Sequence, residues 1–231
     1  MAFQRLGRRL EDGIAAYITA NKASMLSGVD IATPKREGRV NAPWLGVYSG
    51  ASVPWSDEDR RGEIRGPMRT TLRVSIAEHM KGTAIDQYCG EFVDIIARAP
   101  RVGFCKTTTA SSNTFIVDWQ NVGSEPTQIV AGTKLRIAGN EYTVSTNTNT
   151  AATENTIVLT TTASITANTA IFIESPVDVP EFGDLRDYLN DLGTISVLRI
   201  AFLSETPNVQ GDLRGQDFEF EIDAVNSPGL A

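Results

Sequence analysis

Apolar residues along the chain fall at three kinds of spacing, and each spacing predicts an element. Phe3, Leu6, Leu10, Gly13, Ile14, Tyr17 and Ile18 recur every three or four positions, which draws one apolar stripe down a helix over 3–20. Arg5, Arg8, Arg9, Glu11 and Asp12 take the other face of that helix. Residues 22–42 contain Gly28, Pro34 and Gly38 and hold no period, so a loop with at most one short strand is expected. Trp44, Leu45, Val47 and Tyr48 form a compact apolar run that stops at Ser49-Gly50. Leu72, Val74 and Ile76 alternate with Thr71, Arg73 and Ser75, the period of two of a half-buried strand. The stretch 56–66 between these strands is too polar to be buried and reads as a long exposed excursion.

A second helix is predicted from Ile85, Tyr88, Cys89, Phe92, Val93 and Ile96, with Pro100 ending it. Thr83 is its expected cap, with Asp86 three residues on as a variant of the capping box. A third helix is expected over Phe182–Leu192, stopped by Gly193, followed by a strand from Ile195 through Val197 and Leu198 to Phe202. The last strand has the sharpest pattern. Phe218, Phe220 and Ile222 alternate with Asp217, Glu219, Glu221 and Asp223, giving one core face and one strongly acidic face.

Residues 107–175 differ in kind, with 17 threonines, many Asn and Ala, and few charges. Short alternating runs at 134–137, 142–144, 156–159 and 170–173 are bounded by Gly or by Thr/Asn-rich turns, as in a small all-β unit. The helix-and-strand pattern resumes after them. The expected fold is therefore α+β: a mixed, mostly antiparallel sheet flanked by helices, built from 1–106 and 176–231, with a Thr-rich β domain inserted at 107–175. A disordered linker over 107–175 is the competing reading.

Composition narrows function mainly by exclusion. The 231 residues are 41% hydrophobic and 21% charged, ordinary for a folded chain. No run approaches the about 18–20 consecutive apolar residues of a membrane helix, so a soluble protein is expected. The opening MAFQRLGRRLEDG carries charge where a signal peptide has its apolar core, so export is not expected. A net charge of −7 argues against a protein that grips nucleic acid by neutralising phosphates. It leaves room for a surface that DNA passes without sticking.

Two cysteines, Cys89 and Cys105, cannot staple a fold of this size, and Cys89 falls on the apolar stripe of the second helix, where an inert thiol is expected. The one histidine, His79, would need an exposed Cys89 thiol to form a nucleophilic dyad. One His and two Cys do not complete a zinc site, and no cofactor is implied. Asp57-Glu58-Asp59 lacks the spacing and glycine of a calcium loop and reads as a solvated run balanced by Arg60 and Arg61. The glycines at 46, 50, 62 and 66 match no phosphate-binding loop, and Ser49 lacks the glycine spacing of a nucleophile elbow. Trp44 and Trp55 flank the first strand and read as packing residues. Trp119 opens the Thr-rich stretch, where an aromatic platform for a sugar is the alternative to packing.

The order of elements carries a family likeness. An amphipathic helix leads to the strand WLGVYSG, a charged excursion, the strand TTLRVSIAEHM, the helix TAIDQYCGEFVDIIARAP and the terminal acidic strand QDFEFEIDAV. This order resembles the tail terminator (tail completion) proteins of long-tailed bacteriophages over 3–104 and 180–225; the Thr-rich stretch departs from it. The resemblance implies a non-enzymatic virion protein, made in the host cytoplasm, that closes into a homo-hexameric ring at the head-proximal end of the tail. Its implied partners are the tail tube protein and the head-closure or connector proteins, with DNA passing through the lumen. On that reading Asp57, Glu58, Asp59, Arg60, Arg61 and Arg65 suit inter-subunit ion pairs that set register. Asp217, Glu219, Glu221 and Asp223 suit either an acidic lumen or a solvated strand. Another neck component, a minor virion protein and a carbohydrate-binding module using the β insertion are the alternatives.

Overall fold

The computed structural model describes residues 5–33, 42–54, 67–98, 101–119, 129–175 and 181–226. In chain order the elements are α1 (Leu6–Asn21), β1 (Asp30–Ala32), β2 (Trp44–Pro54), β3 (Pro67–His79), α2 (Ile85–Ile96), β4 (Arg101–Cys105), β5 (Thr109–Asp118), β6 (Lys134–Ile137), β7 (Asn140–Ala151), β8 (Glu154–Ile165), β9 (Ala170–Ser175), α3 (Gly183–Asp191), β10 (Ile195–Gln210) and β11 (Leu213–Asn226). The chain is α+β. It divides into two compact units: one joins Met1–Ala97 to Leu185–Ala231, and the other is Arg98–Asp184.

The first unit is a five-stranded sheet in the order β1-β2-β3-β11-β10, with β1 parallel to β2 and the remaining pairs antiparallel. Helices cover one face. The α1 stripe is buried at Leu6, Leu10, Ile14, Tyr17 and Ile18, and the Tyr17 hydroxyl donates to the Ile95 carbonyl of α2 at 3.1 Å. Two glycines set the approach of α1. A side chain at Gly7 would collide with Ser49 of β2, and one at Gly13 would collide with Leu189 of α3.

Glu11 departs from the polar face assigned to it. It is buried at 4% exposure, and its Oε1 accepts from both the backbone N–H of Ser49 (2.8 Å) and its hydroxyl (2.7 Å). Arg8 donates to the other carboxylate oxygen at 2.9 Å. The charge goes inward because β2 offers it a backbone donor there, which a buried carboxylate needs.

The start of α2 also differs from the sequence expectation. Thr83 makes no capping bond; the N-cap position is Ala84, which has no side-chain oxygen to offer. The buried Glu78 at the end of β3 accepts instead from the N–H groups of Ala84 (3.3 Å) and Ile85 (3.1 Å). Arg214 of β11 closes on the same carboxylate at 2.6 Å and donates to the Gly82 carbonyl at 2.7 Å. One carboxylate thus satisfies two orphan donors of a helix end and pairs with a cation across the sheet. The buried side of α2 is Phe92, Ile95 and Ile96, and Cys89 is only half-buried, so it is not the core residue expected.

The second unit is a closed antiparallel barrel, β4-β5-β8-β7-β6-β9. Its interior is filled by Val102, Cys105, Phe115, Val117, Leu135, Ile137, Val144, Ile157, Leu159, Ile171 and Ile173, so it is a packed core and not a pore. Gly103, with φ of +152°, lies where a Cβ would meet Val117 and the Asp118 carbonyl, which lets β4 come close to β5. Threonines stay outside, on the faces of β7 and β8 that alternate with the apolar row.

Candidate functional site

The acidic alternation of β11 is real in three dimensions, and β11 is an interior strand, paired to β3 on one side and β10 on the other. Phe218, Phe220 and Ile222 point to the helices, where the ring of Phe92 of α2 packs against Phe218 at a tilt of 52°, centroids 4.9 Å apart. Asp217, Glu219, Glu221 and Asp223 therefore line the opposite face of the sheet.

That face is not bare carboxylate. Arg69 of β3 grips Asp223 with two bonds, Nε to Oδ1 at 2.8 Å and a second nitrogen to Oδ2 at 3.1 Å, and lies 3.3 Å from Glu221. Arg199 of β10 reaches Glu221 at 3.3 Å and Asp223 at 3.8 Å from the other side. At the far end Asn208 donates to both oxygens of Asp217, and Arg73 stands 3.8 Å from Asp217. Among the described residues Glu219 accepts one bond, from the Ser204 hydroxyl at 3.4 Å. Asp223 is almost wholly buried, at 1% exposure, so its charge acts within the sheet. The arginines come from neighbouring strands in register, Arg69 opposite Asp223 and Arg73 opposite Glu219.

The network continues to β2. The Arg73 guanidinium sits 6.0 Å from the centre of the Tyr48 ring. Burial pushes the Tyr48 hydroxyl above its ordinary value, with Arg73 pulling it down and Asp217 adding to the rise. Trp44 and Tyr48 lean together over Gly46, into space a side chain there would occupy. These groups satisfy one another. The chemistry of this face is cross-strand cohesion, with Glu219 the carboxylate left most available.

The remaining sequence candidates lie apart from it. Asp57, Glu58, Asp59, Arg60, Arg61 and Arg65 fall outside the described residues, as does Trp55. His79 is exposed at the end of β3. Cys89 is held as a thiol: burial foremost, then the charges of Glu205, Asp86 and Glu78, push its pKa up to about 12. It is a poor nucleophile in that state. Alkylation of Cys89 at pH 8 in the folded protein is expected to be more than tenfold slower than in urea, followed by mass spectrometry of the 85–96 peptide.

Cys105 is buried in the barrel, donates to the Thr107 carbonyl at 3.1 Å, and is likewise raised by burial. Ser49 is committed to Glu11. The Trp119 indole donates to Asn155 at 3.1 Å, and Asn155 in turn donates to Asn147, so its polar edge is spent inside the barrel unit. Among the described residues no group of His, Cys, Asp and Glu is arranged to hold a metal ion.

The feature that sequence reasoning missed is the apolar exposure along β10, where the centre of the Phe202 ring lies 5.8 Å from that of Phe220. Leu198, Phe202, Leu203 and Val209 are all 45% exposed or more on this one strand. The sequence pattern reads as a strand from Ile195 to Phe202; pairing with β11 carries it on to Gln210. Comparison with protein families and with curated proteins yields no match.

Proposed function

We propose that this chain is a structural virion subunit that closes into a homo-hexameric ring at the head-proximal end of a phage tail, capping the tail tube and joining it to the head or neck. The observation that carries this reading is β10, a sixteen-residue strand at the side of the sheet that leaves large apolar side chains in solvent. A long edge strand with exposed apolar side chains is a liability for a protein that stays alone and an asset for one that assembles. The interlocked α+β core supports the same reading, since a ring subunit must transmit load without deforming. In this proposal the Thr-rich barrel is an inserted module on a terminator-like core. The Glu219 face borders the lumen, where its carboxylate and the overall charge of −7 discourage DNA from sticking. The tail tube protein and a head-closure or connector protein are the neighbours.

Light scattering of the purified chain, with negative-stain images of the same peak, tests the proposal. The expected result is a discrete particle of six 25.0 kDa chains with a central hole wide enough for duplex DNA. A monomer that remains one when tail tubes are added would sink it and shift weight to a head-closure or adaptor role.

A further inference from the structure

The ring reading leaves open which surfaces join, and the following assignment rests on that reading. The five-stranded sheet has an open edge on each side. On one side lies β10, roughly 50 Å long at about 3.3 Å per residue, whose one strand partner among the described residues is β11. Asn190 of α3 holds the backbone N–H and carbonyl of Val197, so the edge is open from Leu198 onward. Its pairing shifts register between Val197 and Arg199 and between Phe202 and Ser204, which leaves Leu198 and Leu203 as the extra residues of two bulges, 45% and 50% exposed. Only Arg199 and Glu205 bear charge along the strand, and its other edge guards are Pro207 and the two bulges.

On the other side β1 covers β2 only at Trp44, Leu45 and Gly46. The next exposed amide, Ser49, is taken by Glu11 of α1. Beyond it the pairing with β3 breaks register at Gly50 and Ala51 and resumes over Ser52–Pro54; this end has no strand on its outer side among the described residues, and there Val53 is 50% exposed. Among the described residues this second edge is sealed up to Ser49 and open over the last five residues of β2.

We propose that the Gly50–Pro54 end of β2 in one copy pairs with the outer edge of β10 in the next, so that the sheet runs on from copy to copy. The occupant is a second copy of this chain, because the two edges are complementary by kind and sit on opposite sides of one sheet. Each brings unpaired backbone donors and acceptors, and each brings apolar side chains to cover the other. Joining them leaves one free edge of each type at the ends of the growing assembly, as in a head-to-tail contact that closes when its rotation closes. Pairing of β10 with another β10 about a two-fold axis would instead leave Val53 and its open backbone uncovered.

Two exposed substitutions test this, Leu203→Asp on β10 and Val53→Asp on β2, each checked by circular dichroism for an unchanged fold. Each alone is expected to raise the concentration needed for assembly at least tenfold. Mixed one to one, the two variants retain a single good interface between them, the intact β10 of V53D with the intact β2 of L203D. A mixed dimer that grows no further is the expected product, read by light scattering and native mass spectrometry. If V53D forms homodimers alone and L203D does not, β10 pairs with itself and the assignment falls. If both variants still form particles with a central hole, the assignment falls while the ring reading stands. A mixed dimer together with wild-type filaments that never close would keep the assignment and remove the ring.

Discussion

Replacing Glu78 by alanine is expected to destabilise the α+β unit by about 3–5 kcal/mol, the cost of stripping one partner from a buried ion pair. The carboxylate is 4% exposed and serves three groups at once: the amides of Ala84 and Ile85 and the guanidinium of Arg214. Removing it leaves two helix N–H groups without an acceptor and one arginine facing a gap. The Gln variant keeps the shape and one acceptor oxygen, so it should fall between Ala and wild type. Arg214→Met should cost less than either, because Arg214 is about one-third exposed and the helix amides keep their acceptor. Urea unfolding followed by circular dichroism gives the ranking. If Arg214→Met proves as costly as Glu78→Ala, the carboxylate is acting as a simple ion-pair partner and not as the cap of α2.

Asp223→Ala is the second large effect, about 2–3 kcal/mol, the range for losing charge-assisted hydrogen bonds at a buried carboxylate. It is smaller than the first because Arg69 and Arg199 reach solvent and can rehydrate once Asp223 is gone, their side chains being 34% and 57% exposed. Glu219→Ala provides the contrast. With one long bond to Ser204 it should change stability by less than about 0.5 kcal/mol, as surface substitutions usually do. A stability cost at Glu219 equal to that at Asp223 would mean that the whole acidic row is structural, which would leave no carboxylate free to meet DNA.

The sequence makes some of this structure legible and hides the rest for physical reasons. Periodicity exposes what a single element does alone. It shows the α1 stripe, the two-residue alternation of β3 and the two faces of β11. It cannot show partners far along the chain. Glu11 looks like a solvent-side charge because its acceptor role is fixed by Ser49, 38 positions away. The acidic row reads as uncompensated because the arginine that grips Asp223 lies 154 positions earlier. Thr83 has the right chemistry and place for a cap, yet Glu78 holds the helix end from the neighbouring strand.

In the Thr-rich stretch the alternating runs mark strands, but closure of the barrel depends on β4, which lies before that stretch and pairs with both β5 and β9. The length of β10 is hidden by Pro207 and by the polar residues around it. The full length of this edge strand, the feature on which the functional proposal turns, is thus the one least visible from residue order.

The pairing of β4 with β9 has a consequence for how such a chain could have arisen. These are the first and last strands of the barrel, and Arg101, which opens β4, faces Phe172 of β9. The polypeptide therefore comes in and goes out side by side, about 5 Å apart, the spacing of neighbouring strands. A segment with its two ends so close can be gained or lost in one genetic step, leaving a gap that a tight turn can bridge. Among the described residues the barrel strands pair with one another alone, so the five-stranded sheet would keep every one of these ladders in either state. Two lineages could then share the sheet and differ by a whole barrel, and length alone would hide their kinship.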